Sequence, residues 1–238
     1  MKFLFILFID CIYCFQVAFC GSFLGSVCAV GIIVGVLFPP SYMIFGWYII
    51  ILSSFHFLEY FVTALTNPRN LSLDSYLLNH SFAYWFAAIV SWVEFFVERW
   101  IYPNFKEAWY FSLIGVVLCI LGEIFRKMAM FTAKTNFNHL VQIKKQEGHE
   151  LITNGVYRLV RHPSYVGWFW WSIGTQVVLL NPICAVVYAI SSWNFFHNRI
   201  HFEEMTLIKF FGTRYLNYQK KVGTGLPFIN GFIYSCND

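Results

Sequence analysis

The sequence predicts an all-α polytopic integral membrane bundle of six to seven spans, with polar segments before and after its last helix hairpin. Three observations predict it. Of 238 residues, 58% are hydrophobic and only 12% are charged, whereas soluble domains carry about 25% charged residues. The apolar residues come in runs of roughly the 20 needed to cross hydrocarbon as a helix. None of the runs alternates with period two, which argues against a membrane barrel. The aromatic share of 21% suits interfacial belts and a lipid-facing wall.

Each element follows in order. Residues 3–38 are apolar apart from Asp10, which predicts a short segment over 2–10 and a span over 12–37. No cleavable leader pattern is read there, so the first segment is expected to be an anchor. Pro39-Pro40 stops that helix. Further spans are expected over 42–65, 81–101 and 109–131, then a polar stretch over 132–161, then spans over 163–180 and 183–200. Asn181-Pro182 between the last two leaves room only for an antiparallel hairpin. The chain thus divides into 1–131, N-terminal membrane helices, and 132–238, which holds the polar segment, the hairpin 163–200 and a C-terminal helix.

Charge orients the bundle. Seven Lys/Arg lie between Arg126 and Arg161, and five more run from Arg199 to Lys221. The opposite face is left with Arg99 and Lys106. The positive-inside rule puts 132–161 and the C-terminal tail on the cytoplasmic side. Asn70 and Asn79 match the glycosylation pattern but fall on that same side, where they stay bare. The cysteines are scattered; Cys11 and Cys14 form a CxxC without a second pair, so no metal site is expected. Cys236 does not sit in a prenylation box.

Polar groups inside the spans are expensive and face the bundle interior. His56 and Glu59, three apart, share one helix face. They read as buried hydrogen-bonding groups that join helices, with the lining of a substrate cavity as the alternative. Glu94, Glu98 and Arg99 sit where snorkelling is easy. Glu123 and Arg126 read as a structural ion pair.

The polar segments are richer. Asn154-Gly155 marks a turn. His162-Pro163 marks a helix start, whose open N–H groups favour an anion. His162, Tyr165 and Tyr157 bring ring faces and donors to one place, equipment for a flat heterocycle and a carboxylate. Arg199 and Glu203 are four apart on one face, which by itself predicts only a weak surface salt bridge. The stretch Leu207–Tyr218, "LIKFFGTRYLNY", is amphipathic and basic and suits an interfacial helix. The sequence holds no Gly-x-Gly-x-x-Gly, P-loop, HExxH or GxSxG, so Rossmann-type nucleotide binding is unsupported.

The motifs "GVYRLVRHPSYVGWFWWSIGTQ", "LNP", "FFHNRIHFEE", "FFGTRYLNY" and "GLPFI", in that order between Asn136 and Asn230, resemble the isoprenylcysteine carboxyl methyltransferase family. Upstream, "HFLEYFVTAL", "NPRNLSLDSYLLNH" and "FRKMAMFTAKTNFNH" are similar to its eukaryotic members, so the likeness covers nearly everything after residue 41. The departure is at the N-terminus, where animal members have more spans than are read here. The resemblance implies an endoplasmic-reticulum membrane enzyme with its site facing the cytosol. It implies S-adenosylmethionine as methyl donor and C-terminally prenylated CaaX proteins, small GTPases among them, as substrates. No nucleic-acid partner is expected.

Carried over by position, the resemblance puts the cofactor against Gln142, His149, Glu150, Leu151, Ile152, Tyr157, His162, Pro163, Ser164, Tyr165 and Glu203. Arg199 maps to the substrate-side arginine and is expected to hold the prenylcysteine carboxylate in two-point fashion. Two alternatives stay open on sequence alone. One is another membrane enzyme with an RHPxY step, a phospholipid methyltransferase or a sterol reductase. The other is a small transporter, against which the absence of paired repeats counts.

Overall fold

The computed structural model describes residues 2–78 and 82–232, and side chains from Ile12 onward. Asp10, Cys11, Asn79 and Cys236 therefore lie outside the described side chains. Among the described residues eight α-helices run in chain order: α1 Lys2–Leu37, α2 Pro40–Thr66, α3 Phe82–Ile101, α4 Pro103–Lys106, α5 Trp109–Ala133, α6 Pro163–Val178, α7 Pro182–Phe211 and α8 Thr213–Gln219. Short 3-10 turns join some of them, and the described residues contain no strand.

Three expected boundaries move. The predicted segments 2–10 and 12–37 are one helix, α1, because no proline interrupts it. The predicted span 183–200 is only the first part of α7, which continues to Phe211 and carries Arg199, Glu203 and Glu204 on a rigid helix. The predicted interfacial helix 207–218 is broken at Gly212, where φ is +55° and ψ −130°. Only glycine adopts that backbone at low cost, so the chain turns there into α8.

Two helical stretches, Ile12–Leu37 and Pro40–Thr66, are long and apolar enough to cross a membrane by length and composition alone. The other long helices carry more polar groups, and they turn them inward: Ser91, Arg126, Gln176 and Ser192 are buried. Their outer faces expose Val93, Val97, Ile114, Leu121, Val186 and Ile190. Such an inside-out polarity suits lipid as the surrounding solvent.

Glycine sets the helix spacing. A Cβ on Gly122 of α5 would lie 2.6 Å from the Gly167 carbonyl oxygen of α6, and one on Gly167 would lie 2.5 Å from the Gly122 oxygen. Backbones touch along this line, the small-residue contact typical of membrane helix pairs. Gly46 of α2 is held the same way, its absent Cβ 2.5 Å from Gly35 N of α1. The core between these pairs is aromatic, with Phe55 of α2 stacked on Trp171 of α6 at 3.9 Å.

The end of the bundle holding the Asn181-Pro182 turn is sealed by charge. Lys106 of α4 is fully buried and donates to Glu98 at 2.7 Å, to the Leu179 and Leu180 carbonyls at 2.9 Å, and to Asn181 Oδ1 at 2.9 Å. It thus neutralises the negative end of α6. Glu94 accepts from the Ile183 and Cys184 N–H groups at 2.8 and 2.7 Å and caps the positive end of α7. Arg99 stacks over Tyr42 at 4.2 Å. The expectation that Glu94 and Glu98 snorkel is therefore corrected: with Lys106 they tie α3, α4 and the hairpin turn together.

Candidate active site

At the other end, α5, α6 and α7 converge with the loop 134–162. Asn154 precedes the turn Gly155–Arg158, with Gly155 at φ +55°, as the Asn-Gly step predicts. Pro163 opens α6 in the first helical position. Asn67 anchors the loop by donating to the Phe137 carbonyl at 3.0 Å, and Asn136 Oδ1 accepts the Glu150 N–H at 2.8 Å.

A cavity of about 120 Å³ opens between these elements. Its walls include His149, Glu150, Leu151, Ile152, Tyr157, His162, Pro163, Ser164, Tyr165 and Glu203. Ten of the eleven positions expected to hold the cofactor thus surround one space. The eleventh, Gln142, lies in the surface loop, where it accepts from Gln146 at 2.9 Å and donates to the Leu140 carbonyl at 3.3 Å.

The cavity presents flat rings and carboxylates. The His162 and Tyr165 rings are stacked 5.4 Å apart and nearly parallel, and Tyr165 stacks in turn on Phe196. Glu203 Oε2 accepts from the Tyr165 hydroxyl and lies 4.0 Å from His162 Nδ1. Burial, helped by the charge of Glu203, pushes the Tyr157 hydroxyl up, so it stays protonated. Burial and the neighbouring Lys145 push His149 down, against an opposing pull from Glu203.

Beneath the cavity sits Glu204, fully buried. It accepts from Arg161 Nε at 2.8 Å, His162 Nε2 at 3.1 Å, the Tyr215 hydroxyl at 3.0 Å, Gln219 at 2.8 Å and the Phe232 N–H at 2.8 Å. Burial alone would raise its pKa. The His162 bond and charge, with the Arg161 charge, outweigh that and bring it to about 2. Of the adjacent glutamates, one faces the cavity and the other locks α7, α8 and the C-terminal segment to the start of α6. Sequence reading missed Arg161 and Glu204, although both stand inside the motifs it quoted.

A smaller space of about 50 Å³ adjoins the first. It shares Phe137, Asn138, Ser164 and Tyr165 with it and adds Arg126, His139, Trp168, Phe195 and Arg199. Arg199 Nε donates to the Tyr165 hydroxyl at 2.9 Å, and Arg199 Nη2 donates to the His139 carbonyl. The salt bridge expected between Arg199 and Glu203 is corrected: the Tyr165 hydroxyl stands between them. The expected Glu123–Arg126 pair is also corrected. Arg126 binds Glu59 of α2 through Nε at 2.6 Å and Nη2 at 2.8 Å, and Glu123 contacts Lys127 at 3.0 Å.

Past Trp168 and Phe195, which also line this junction, lies an apolar cavity of about 410 Å³ between α1, α2, α3, α6 and α7. Its walls are almost wholly hydrocarbon and aromatic, with His56 among the few polar groups. His56 bonds the Tyr76 carbonyl at 2.8 Å and the Tyr84 hydroxyl at 2.9 Å. This histidine therefore joins elements, as expected of a buried hydrogen-bonding group, and also stands in the wall of this cavity. A second apolar recess, about 560 Å³ between α2, α5 and α6, has no wall in common with the Arg199 junction.

A polar, carboxylate-bearing cavity, a cationic junction and an apolar cavity thus stand in series. Fold and site together define a helical membrane protein whose polar cavity adjoins an apolar one within the bundle. Residues 113–209 match the model of the isoprenylcysteine carboxyl methyltransferase (ICMT) family. The chain is 55% identical over 217 residues to the protein-S-isoprenylcysteine O-methyltransferase of Xenopus laevis, covering 91% of this chain and 75% of that one. It is 52% identical to the human protein of the same name, covering 91% and 76%. A solved structure of the eukaryotic intramembrane Ras methyltransferase ICMT superposes with a TM-score of 0.92 at 48% identity, over 93% of this chain and 79% of that one. The chain belongs to the isoprenylcysteine carboxyl methyltransferase family.

Proposed function

We propose that the protein transfers a methyl group from S-adenosylmethionine to the C-terminal carboxylate of prenylcysteine on CaaX proteins, small GTPases among them. The observation that carries this reading is the series of three spaces: Tyr165 and Ser164 wall the first and second, Trp168 and Phe195 the second and third. An acceptor that is half lipid and half carboxylate matches the last two spaces, and a cationic donor matches the first.

The donor's chemistry fits the residues present. Its ammonium and sulfonium suit a wall bearing Glu203 and Glu150, and its adenine suits the rings of Tyr157, His162 and Tyr165. When bound, it supplies an electrophilic methyl group on a positively charged sulfur.

The chain's own residues then position the acceptor. Arg199 grips the carboxylate, for which a guanidinium offers a two-point match. That carboxylate is already ionised near neutral pH, so no residue has to remove a proton and no covalent intermediate is needed. Trp168 and Phe195 close the junction to water, which strengthens the pairing. Rate enhancement comes from in-line placement of two reactants.

The relatives' names favour this acceptor over a phospholipid amine, which Arg199 would repel. The membrane orientation belongs to the same proposal: the Arg199 end faces the cytosol in the endoplasmic reticulum, on the strength of the lysines and arginines clustered there. So does the division of the chain. Every residue lining the polar cavity falls within 132–238, whereas 1–131 supplies much of the apolar cavity.

The test is transfer of labelled methyl from S-adenosylmethionine to N-acetyl-S-farnesylcysteine by the protein in lipid nanodiscs, with the non-prenylated analogue alongside. Base-labile label on the farnesyl compound alone is expected. Equal labelling of both, or of neither by protein that binds the donor, contradicts the acceptor assignment.

A further inference from the structure

The Arg199 clamp is held in place from a helix that does not carry the polar site. Glu59 is fully buried on α2 and meets two cations, Arg126 at 2.6 and 2.8 Å and Lys127, and the imidazole of His139 through Nε2 at 2.8 Å. Two of these partners continue to the junction. Arg126 Nη1 donates to Ser164 Oγ at 2.7 Å and to its carbonyl at 3.3 Å, at the start of α6. His139 offers its backbone carbonyl to Arg199 Nη2. Glu59 therefore touches, through one intermediate each, both walls of the space assigned above to the carboxylate.

Its charge matters as much as its contacts. The junction is bordered by Arg126 and Arg199 together. A carboxylate entering there meets two guanidiniums, either of which can pair with it. Glu59 engages Arg126 through two nitrogens in a buried fork, the strongest geometry such a pair can adopt. The same carboxylate anchors the loop whose carbonyl aims Arg199.

We propose that Glu59 is a positioning residue for methyl transfer: by occupying Arg126 and tethering His139, it leaves Arg199 as the one oriented cation for the acceptor carboxylate. This rests on the carboxylate-clamp reading above. It predicts that Glu59 governs recognition of the acceptor's acid group without touching acceptor or donor.

The test compares binding of N-acetyl-S-farnesylcysteine with binding of its methyl ester, by tryptophan quenching of the full chain in nanodiscs, beside S-adenosylmethionine binding to the same preparations. The wild type is expected to prefer the acid by about tenfold, the scale of one charge-assisted pair. Glu59→Gln should cut that preference to about threefold or less while donor affinity stays within about twofold. Because Glu59→Gln leaves Arg126 buried with a weakened partner, His139→Ala supplies a second variant on a partly exposed loop. It should lower the preference in the same direction, and the double variant should be no worse than the poorer single one, as expected for groups acting in series. Unchanged preference in both single variants overturns the inference. So does loss of donor affinity in step with the preference, which would mark Glu59 as a structural residue only. A wild type with no preference for the acid overturns the clamp reading and the inference with it.

Discussion

Arg199 Nε donates to the Tyr165 hydroxyl across 2.9 Å, and that hydroxyl donates onward to Glu203. One phenol thus couples the residue assigned to the acceptor with the residue assigned to the donor. Tyr165→Phe removes the coupling and keeps the ring that stacks on His162 and Phe196. The turnover number is expected to fall by about 10- to 100-fold with smaller changes in either KM, since the loss is one of alignment. Steady-state kinetics with both substrates varied checks this.

Arg199 itself should be indispensable to the acceptor and dispensable to the donor. Arg199→Ala is expected to lower kcat/KM for the prenylcysteine by about 10- to 100-fold, the range of a charged hydrogen-bonded pair. Arg199→Lys should recover little, because an ammonium does not reproduce the fork that reaches Tyr165 and His139 together. Donor binding measured by calorimetry should be unchanged in both. Near-normal turnover in Arg199→Ala would remove the clamp from the account.

Glu204 should act on stability and on its pH dependence. Its folded pKa of about 2 lies below the ordinary glutamate value of about 4.3. A depressed carboxylate stabilises the fold above its ordinary value, and that contribution is lost as pH falls from about 4.3 towards 2. Glu204→Gln leaves Arg161 buried without its counter-charge and is expected to cost about 3 kcal/mol near neutral pH. Thermal unfolding in detergent between about pH 6 and pH 3 should show the wild type losing more stability on acidification than the variant.

The α5–α6 contact should tolerate no added carbon. Gly122→Ala places a methyl 2.6 Å from the Gly167 carbonyl oxygen, a backbone atom that moves only with its helix. Separating the helices shifts Ser164 and Tyr165 at the start of α6, so activity should fall together with a stability loss of about 1 to 3 kcal/mol. Gly148, with nothing within 4 Å of its absent Cβ but φ at +77°, offers a contrast. Gly148→Ala should cost about 1 kcal/mol of backbone strain with little loss of turnover.

Much of this was legible in the chain. Apolar run length located the helices, and Pro40, Pro163 and Pro182 marked the starts of three of them. The family resemblance supplied ten of the residues around the polar cavity, six of them inside the quoted motifs, whose segments carry their own turn and helix-start signals. What escaped was anything set by packing between distant segments. Glu59 meets Arg126 only because α2 and α5 lie side by side. Spacing pointed instead to a near neighbour, Glu123, on Arg126's own helix. Lys106 entered the reading only as a charge on the face opposite the polar segments, because nothing local shows that α4 tucks it under the carbonyl end of α6. Glu204 was passed over beside Glu203, because only the helix rotation, which turns Glu203 to the polar cavity and Glu204 into the α8 junction, shows its role.

In the proposed reaction the lipid tail of the acceptor occupies the apolar cavity that shares Trp168 and Phe195 with the Arg199 junction. A diazirine-bearing farnesylcysteine, photolysed on the protein in nanodiscs and mapped by mass spectrometry, tests it most directly. Adducts are expected on residues such as Trp92, Trp168 and Tyr188, suppressed by excess N-acetyl-S-farnesylcysteine. Suppressible adducts confined to Val116, Ile120 and Ile124, in the larger recess between α2 and α5 that does not reach Arg199, would contradict it.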